Sequence, residues 1–321
     1  MIDCIPWPVI PRKRGRPYVY SPTVILRCFI VRIWFKIDSN NALHTFLNMN
    51  CHYNRKLALA CGLVSIPCRR TFDRRLKVIS MDIKERISIM GYLFVVEGLV
   101  DLSITAIDST LLKAKGSVWH KSSMKKGVVP CPGIDTDARW GYSHTKGWIF
   151  GYKLHLTSTT GNLIVPLTAD VTTANVPDNQ MYVSLTSSSL VFSLPSSVLY
   201  MASDPGYDDK KLYEYSRKIL GIDLVCPVER YESTSKKRLE LVCFYKSAVG
   251  QSIYNRRGVS IEPLIEHIKS VFRIDPLPAR GFDAVSAIVL LSVLLYQIMV
   301  YYNCKVGKSN PKSIKYMLGT G

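Results

Sequence analysis

The chain has 321 residues, 47% of them hydrophobic, which is enough to bury a sizeable core and excludes an intrinsically disordered protein. Its 42 lysines and arginines outnumber its 24 acidic residues, and the net charge of +18 favours a polyanionic partner, with nucleic acid ahead of an anionic membrane surface. The nine cysteines form no C-x-x-C pair, which argues against a secreted disulfide framework and a zinc ribbon and favours a reducing cytosol.

Residues 1–20 are predicted to form an extended basic arm. Glycine and proline interrupt the basic residues of "RKRGRP", which disfavours a helix. Arms of this kind can lie in the minor groove of DNA, and "RGRP" is similar to an AT-hook. Arg14 and Arg16 are therefore candidate DNA contacts, and the alternative is a solvated basic tail.

Residues 21–98 are predicted to be a helical region for DNA binding or dimerisation. The stretch "SPTVILRCFIVRIWFKI" offers Ser21 as an N-cap and Pro22 at the first helical position. A later helix within "IPCRRTFDRRLKVIS" places several basic side chains on one face. Arg70 and Arg74 are the candidate DNA contacts there, and the alternative is a solvated face.

The predicted secondary structure changes at residue 99, and residues 99–321 are predicted to form one domain of strands and helices. The apolar stretches "LSITAID" and "SSVLYMASD" predict strands that end in Asp108 and Asp204. A long polar connection at 113–147 and a predicted hairpin at 148–171 lie between them. On the first hairpin strand Lys153 and His155 alternate, so both point to one face; they either border a site or have a structural role.

Two helices are predicted near the C-terminal end of the sequence. One includes "IEPLIEHIK" and runs from Ser260, a candidate N-cap, to Ile274, with Pro263 in its first turn. The other is the uncharged stretch at 284–303, which is long enough to span a bilayer. We interpret it as a helix buried in a large core, with a membrane span as the alternative.

The two strand-end aspartates indicate where chemistry could occur. If their strands are neighbours, Asp108 and Asp204 converge at one edge of the sheet and repel each other. A Mg²⁺ or Mn²⁺ ion would remove that repulsion, and a third carboxylate from a packed helix would complete a two-metal site. The alternative is that each aspartate only caps a turn or a helix.

At this point the sequence resembles the DDE transposases of bacterial and archaeal insertion sequences. The resemblance covers nearly the whole chain and is carried, in order, by "SIPCRRTFDRRL", "TAIDST", "GYKLHL", "ASDPGYDD" and "IEPLIEHIK". It implies a ribonuclease-H-like α/β fold, a mixed sheet flanked by helices, after the helical N-terminal region. It also implies that Asp108 and Asp204 are the first two catalytic and metal-binding carboxylates.

The third carboxylate follows from the family pattern Y-x-x-R-x-x-x-E-x-x-x-x-x-x-K. Tyr254 and Arg257 keep its first spacing, and Glu262 and Lys269 keep its last. Four residues rather than three separate Arg257 from Glu262, which puts the role of Arg257 in question. The resemblance thus makes Glu262 the third metal ligand and leaves Glu266 as a surface charge. Tyr254, Arg257 and Lys269 are then candidate DNA contacts. Lys153 and His155 are candidates for positioning DNA because of the face that they share.

The resemblance implies a DNA transposase of an insertion sequence. Two Mg²⁺ ions would support attack by water at the element ends, followed by attack of the released 3′-OH on target DNA. The expected partners are the terminal inverted repeats, target DNA and a second copy of the chain, with no membrane. The expected location is the cytoplasm of a bacterium or archaeon, associated with the nucleoid. The alternatives are a DNA-binding protein without catalysis and a metal-dependent nuclease.

Overall fold

A computed structural model describes residues 19–49, 51–194, 197–228 and 235–318. Nearly all of the predicted basic arm, including Arg14 and Arg16, lies outside the described residues.

The N-terminal region is helical, as predicted. It contains α1 (Pro22–Trp34), α2 (Asn40–Asn48), α3 (His52–Ala60), α4 (Arg69–Leu76) and α5 (Ser80–Val96). The start of α1 follows from its sequence, because the Ser21 hydroxyl accepts a hydrogen bond from the backbone N–H of Val24 and Pro22 occupies the first turn. Gly62 follows the end of α3 and has a φ of +82°, a conformation that glycine adopts without strain.

One mixed sheet organises the rest of the described chain. Its six strands are β1 (Ile104–Lys113), β2 (Arg139–Ser143), β3 (Gly147–Thr159), β4 (Pro166–Thr173), β5 (Tyr200–Ala202) and β6 (Asp223–Val225). β3 pairs antiparallel with β1, β2 and β4, whereas β5 pairs parallel with β1 and β6. The path β4–β3–β1–β5–β6 therefore joins an antiparallel half to a parallel half, which is the predicted ribonuclease-H-like arrangement.

Helices flank the sheet and connect its strands. They are α6 (Lys121–Lys125), α7 (Tyr182–Ser187), α8 (Lys210–Tyr215), α9 (Lys236–Lys246), α10 (Ala248–Phe272) and α11 (Phe282–Lys305). α10 contacts β1, β3, β5 and β6, so it lies across the middle of the sheet. This position brings the sequence around Glu262 close to the strands that carry the two aspartates.

Apolar side chains cover both faces of the sheet. On one face, Ala106, Leu154 and Val171 belong to a core that continues into α1, α4, α5, α10 and α11. On the other face, Ile107 and Met201 pack with residues of α7 and α8. Asp108 lies two residues after Ala106 on β1 and therefore shares the face toward α10.

α11 is a core helix in this structure. Among the described residues it alone is long and apolar enough to cross a membrane, but 83% of its most apolar window is buried inside the protein. Gln297 donates hydrogen bonds of 2.9 Å to the carbonyls of Ile87 and Pro166, which satisfies its amide within the interior. The predicted burial of residues 284–303 is thus confirmed.

Three local predictions were wrong. The connection at 113–147 contains α6 and β2, and β1 does not end at Asp108 because β3 pairs with it as far as Lys113. The helix that carries Glu262 begins at Ala248 with Ser247 as its N-cap, not at Ser260. Ser260 instead donates its hydroxyl to the Arg256 carbonyl within the helix, and Pro263 lies in the helix interior.

Candidate active site

The two aspartates lie side by side on neighbouring parallel strands. Ala106 of β1 pairs with Ala202 of β5, and Asp108 and Asp204 each follow these residues by two positions. The condition set by the sequence, that their strands be neighbours, is therefore met. Asp108 is only 6% exposed, since β1 lies between β3 and β5 in the sheet and α10 packs on it.

Asp204 also has a local structural role. It lies two residues after the end of the short strand β5, and its Oδ1 accepts a hydrogen bond of 3.1 Å from the backbone N–H of Gly206. This contact caps the helical turn Pro205–Tyr207. The capping alternative is thus correct for Asp204 and does not exclude a site role, since only one of its two carboxylate oxygens is used.

Arg257 connects Asp108 with Glu262. Its Nη2 donates to Asp108 Oδ2 at 3.0 Å and its Nη1 donates to Glu262 Oε1 at 2.7 Å. The extra residue between Arg257 and Glu262 leaves both side chains on the flank of α10 that faces the aspartates. Arg257 is mostly buried, so the structure places it inside the carboxylate cluster and not on a surface open to DNA.

The environment of these carboxylates disfavours negative charge. Burial raises the pKa of Asp108 to about 7, with Asp204 and Glu262 adding to the effect and Arg257 opposing it. Burial also raises the pKa of Asp204, and a further aspartate, Asp178, acts in the same direction. The cluster therefore holds more negative charge than Arg257 alone compensates.

Asp178 is a member of the cluster that the sequence did not reveal. It begins the helical turn Asp178–Met181, and its Oδ1 accepts hydrogen bonds from Ser109 Oγ at 2.8 Å and Lys153 Nζ at 2.9 Å. Electrostatic contact with Asp204 places it beside that aspartate. A signal was present in the sequence, because Asp178 comes soon after the hairpin strand β4 that returns to this edge.

Lys153 and His155 share one face of β3, as their alternation predicts. Lys153 forms an ion pair with Asp178. His155 Nε2 forms a hydrogen bond of 2.8 Å with Thr172 Oγ1, and His155 Nδ1 lies 3.7 Å from Asp178 Oδ1. Burial lowers the pKa of His155 to about 4, so its ring is neutral near pH 7. Both side chains are buried, and they support Asp178 instead of forming an exposed DNA surface.

The remaining candidates lie around this cluster. Lys269 is only 5% exposed and contacts Glu266 Oε1 at 3.0 Å and Asp275 Oδ2 at 3.5 Å, so Glu266 is a paired charge as well as an exposed one. Tyr254 packs edge-on against Tyr245. Its pKa is raised by burial, and the charges around its ring include Arg257, Asp204 and Glu262.

The candidate DNA contacts of the helical region are exposed. Arg70 and Arg74 lie on α4, and Arg74 Nε donates to the Arg70 carbonyl at 3.3 Å. Neither side chain reaches the carboxylate cluster, so DNA binding by α4 stays a prediction.

The carboxylates suit a hard divalent cation by the chemistry of their donors, since all are oxygen ligands from separate elements. Within the described residues, no group of three or more His, Cys, Asp or Glu side chains has the spacing of a metal site. Arg257 lies between Asp108 and Glu262 and contributes the positive charge there. The donor set thus fits a cation, although its members are held apart by an arginine.

Carboxylates that converge on one place of a mixed sheet can hold divalent cations that support phosphoryl transfer. Residues 100–298 match the family described as "Transposase DDE domain", and the chain belongs to that family. It is therefore a DNA transposase of the DDE type, and enzymes of this family use divalent metal ions and act on DNA.

Comparison with curated proteins found no match. Two solved structures show weak likeness. A Mos1 transposase paired-end complex with left transposon end is 11% identical, with a TM-score of 0.23, over 91% of this chain and 81% of that one. A pre-cleavage Mos1 transpososome is 12% identical, with a TM-score of 0.23, over 89% and 80%. Scores this low carry no argument, so the assignment rests on the family match.

Proposed function

We propose that this transposase cleaves DNA at the ends of its own insertion sequence and joins the freed 3′ ends to target DNA, with Mg²⁺ held by Asp108, Asp204 and Glu262. The observation that carries the proposal is the convergence of these three side chains from β1, the end of β5 and α10. They are far apart in sequence, and their common neighbour is the cationic Arg257.

The electrostatics of the cluster support a bound cation. Buried carboxylates that raise one another's pKa are stabilised as anions by a positive charge. Asp108 accepts the Ser109 N–H at 2.8 Å, which fixes the direction of its carboxylate. When bound, divalent ions at such a site activate the attacking hydroxyl and stabilise the leaving oxygen. Mn²⁺ is the expected substitute for Mg²⁺, since both prefer oxygen ligands.

The charge of the chain supports terminal inverted repeats and target DNA as partners. The net charge of +18 provides the general attraction, and the exposed Arg70 and Arg74 of α4 are the proposed phosphate contacts. Two element ends must be held together for insertion, so we expect a homodimer or a larger assembly on DNA. We also expect the protein to act on the nucleoid in the cytoplasm of a bacterium or archaeon.

The test is cleavage of DNA that contains the element ends, with and without Mg²⁺. Asp108→Asn and Asp204→Asn should each abolish cleavage and retain DNA binding in a mobility-shift assay. Asp223→Asn is the control, because Asp223 is the first residue of β6, its side chain is 42% exposed, and it pairs with Arg217 away from the carboxylate cluster. Covalent joining of the cut ends to a target plasmid would separate a transposase from a nuclease. Cleavage by Asp108→Asn or Asp204→Asn at the wild-type rate would refute the proposed site.

A further inference from the structure

We propose that Asp178 is a fourth carboxylate of the divalent-cation site. This inference rests on the proposed function, because it adds a ligand to the site that Asp108, Asp204 and Glu262 define. Neither the sequence pattern nor the family match assigns any role to Asp178.

The two oxygens of Asp178 differ in their surroundings. Oδ1 accepts from Ser109 and Lys153, which fixes the carboxylate in place. None of the hydrogen bonds among the described residues uses Oδ2. A Cβ atom placed on Gly206 would lie 3.2 Å from Asp204 Oδ1 and 3.4 Å from Asp178 Oδ2. The two carboxylates thus border the same small space, which Gly206 leaves open.

A buried tyrosine provides an independent sign that this space takes a ligand. Tyr207 is completely buried, and its hydroxyl has no hydrogen-bond partner among the described residues. The charges that act on this hydroxyl are those of Asp178, Asp108 and Asp204, so it lies toward the space that these carboxylates enclose. Buried hydroxyls are normally hydrogen-bonded. A hydrated cation among the carboxylates would supply the missing partner.

Lys153 makes a fourth carboxylate compatible with one divalent ion. It offsets the charge of Asp178, while Arg257 offsets one charge of the Asp108 and Glu262 pair. With all four carboxylates ionised, two negative charges are left, which one divalent cation neutralises. Lys153 also donates to the Val176 carbonyl at 2.9 Å, so it is anchored whether or not Asp178 turns toward a cation.

The alternative is that Asp178 and Lys153 form an ion pair with a structural role only. The chain offers a matched control for it in Asp170 and Lys84. The side chains of Asp170 and Asp178 are equally exposed, at 18%, and each pairs with one lysine. Asp178 is among the charges that act on Asp204 and Tyr207, whereas Asp170 is not. A structural role would make the two aspartates behave alike.

The experiment measures Mn²⁺ binding to the full chain without DNA, by electron paramagnetic resonance of the free ion. Asp178→Asn should weaken Mn²⁺ binding by about tenfold or more, and Asp170→Asn should leave it unchanged. A second comparison avoids an unpaired buried lysine. Lys153→Met should bind Mn²⁺ at least as tightly as the wild type, because it removes a positive charge beside Asp178, and Lys153→Met with Asp178→Asn should bind Mn²⁺ about tenfold more weakly than Lys153→Met. This pair decides the question if Asp178→Asn alone does not fold.

Asp108→Asn separates failure of this inference from failure of the proposed function. If Asp108→Asn weakens Mn²⁺ binding and neither Asp178 variant does, Asp178 is structural and the inference is overturned. If Asp108→Asn also leaves Mn²⁺ binding intact, the cation site itself is wrong and both proposals fall. Equal weakening by Asp178→Asn and Asp170→Asn would likewise overturn the specific role of Asp178.

Discussion

Arg257 donates a hydrogen bond of 3.0 Å to Asp108, a residue 149 positions earlier in the chain. The same guanidinium reaches Glu262, so one cation joins two members of the proposed metal site. The family pattern suggested a DNA contact for this arginine. In the structure Arg257 supplies the positive charge between the Asp108 and Glu262 carboxylates.

Removal of this guanidinium should make the protein more dependent on divalent ions for stability. In EDTA, Arg257→Ala should lower the free energy of unfolding by about 2 kcal/mol, because a buried carboxylate loses its partner. Added Mg²⁺ should then raise the melting temperature more in Arg257→Ala than in the wild type, since binding to the folded state stabilises it. Arg256→Ala is the control on the same helix. An equal response of all three proteins to Mg²⁺ would contradict this role.

The two glutamates of α10 should differ in cleavage. Glu262→Gln should lower the single-turnover rate on pre-bound DNA by orders of magnitude, because a neutral amide is a poor ligand for a hard cation. Glu266 is 64% exposed and pairs with Lys269, and exposed pairs contribute little. Glu266→Gln should therefore cleave normally and change stability by about 0.5 kcal/mol at most. The reverse result would transfer the ligand role to Glu266.

The arginines of α4 should affect the salt dependence of DNA binding. If both contact phosphates, replacing Arg70 and Arg74 by glutamine should flatten the slope of log K against log salt by about one unit for each contact. The charge-matched control replaces Arg217 and Lys218, whose side chains are both 72% exposed. Fluorescence anisotropy at several salt concentrations gives the slopes. Equal slopes for the two double variants would identify the α4 face as merely solvated.

A charge inside α11 should be severely destabilising. Leu291 is 1% exposed, and Leu291→Lys would bury a charge without a partner, at an expected loss of about 4 kcal/mol or more. Tyr302→Lys is the control on the same helix, because Tyr302 is exposed. Urea unfolding measures both losses. A small effect at Leu291 would mean that the helix is not packed as the structure has it.

The contribution of His267 to stability should rise with pH up to about pH 6.5, whereas Asp108, whose pKa burial raises to about 7, contributes in the opposite direction. Burial lowers the pKa of His267, and Lys315 and Lys312 act in the same direction. The unfolded chain therefore binds a proton near pH 6.5 that the folded protein binds only at lower pH, so protonation favours unfolding. His267→Gln should flatten this rise, whereas the same change at the exposed His52 should not. A parallel pH profile for His267→Gln would contradict the assignment.

Local sequence rules predicted the elements whose determinants lie close together. Ser21 and Pro22 begin α1, and the alternation of Lys153 and His155 places both on one face of β3. The same rules failed at α10, where Ser247 and Ser260 are both plausible caps. Packing of α10 across the sheet decides in favour of the longer helix and overrides the cost of Pro263 in its interior.

Contacts between distant residues were beyond the reach of these rules. Asp178 becomes part of the site only because β3 and β4 pair in a register that brings Lys153 beside it. Arg257 meets Asp108 only because α10 lies over β1. The resemblance to a family predicted three carboxylates for one site, but it did not predict that Arg257 lies between two of them.

The core shared by α5, β4 and α11 limits which segments related transposases could exchange by recombination. Ile83, Ile87 and Phe94 of α5 belong to the same core as Val171 and Leu290, and Gln297 is hydrogen-bonded to both Ile87 and Pro166. A recombination breakpoint after α5 would therefore divide a single core rather than a linker. Replacement of the N-terminal helices would succeed only if the new α5 brought complementary side chains, so the N-terminal helices and the sheet must evolve together.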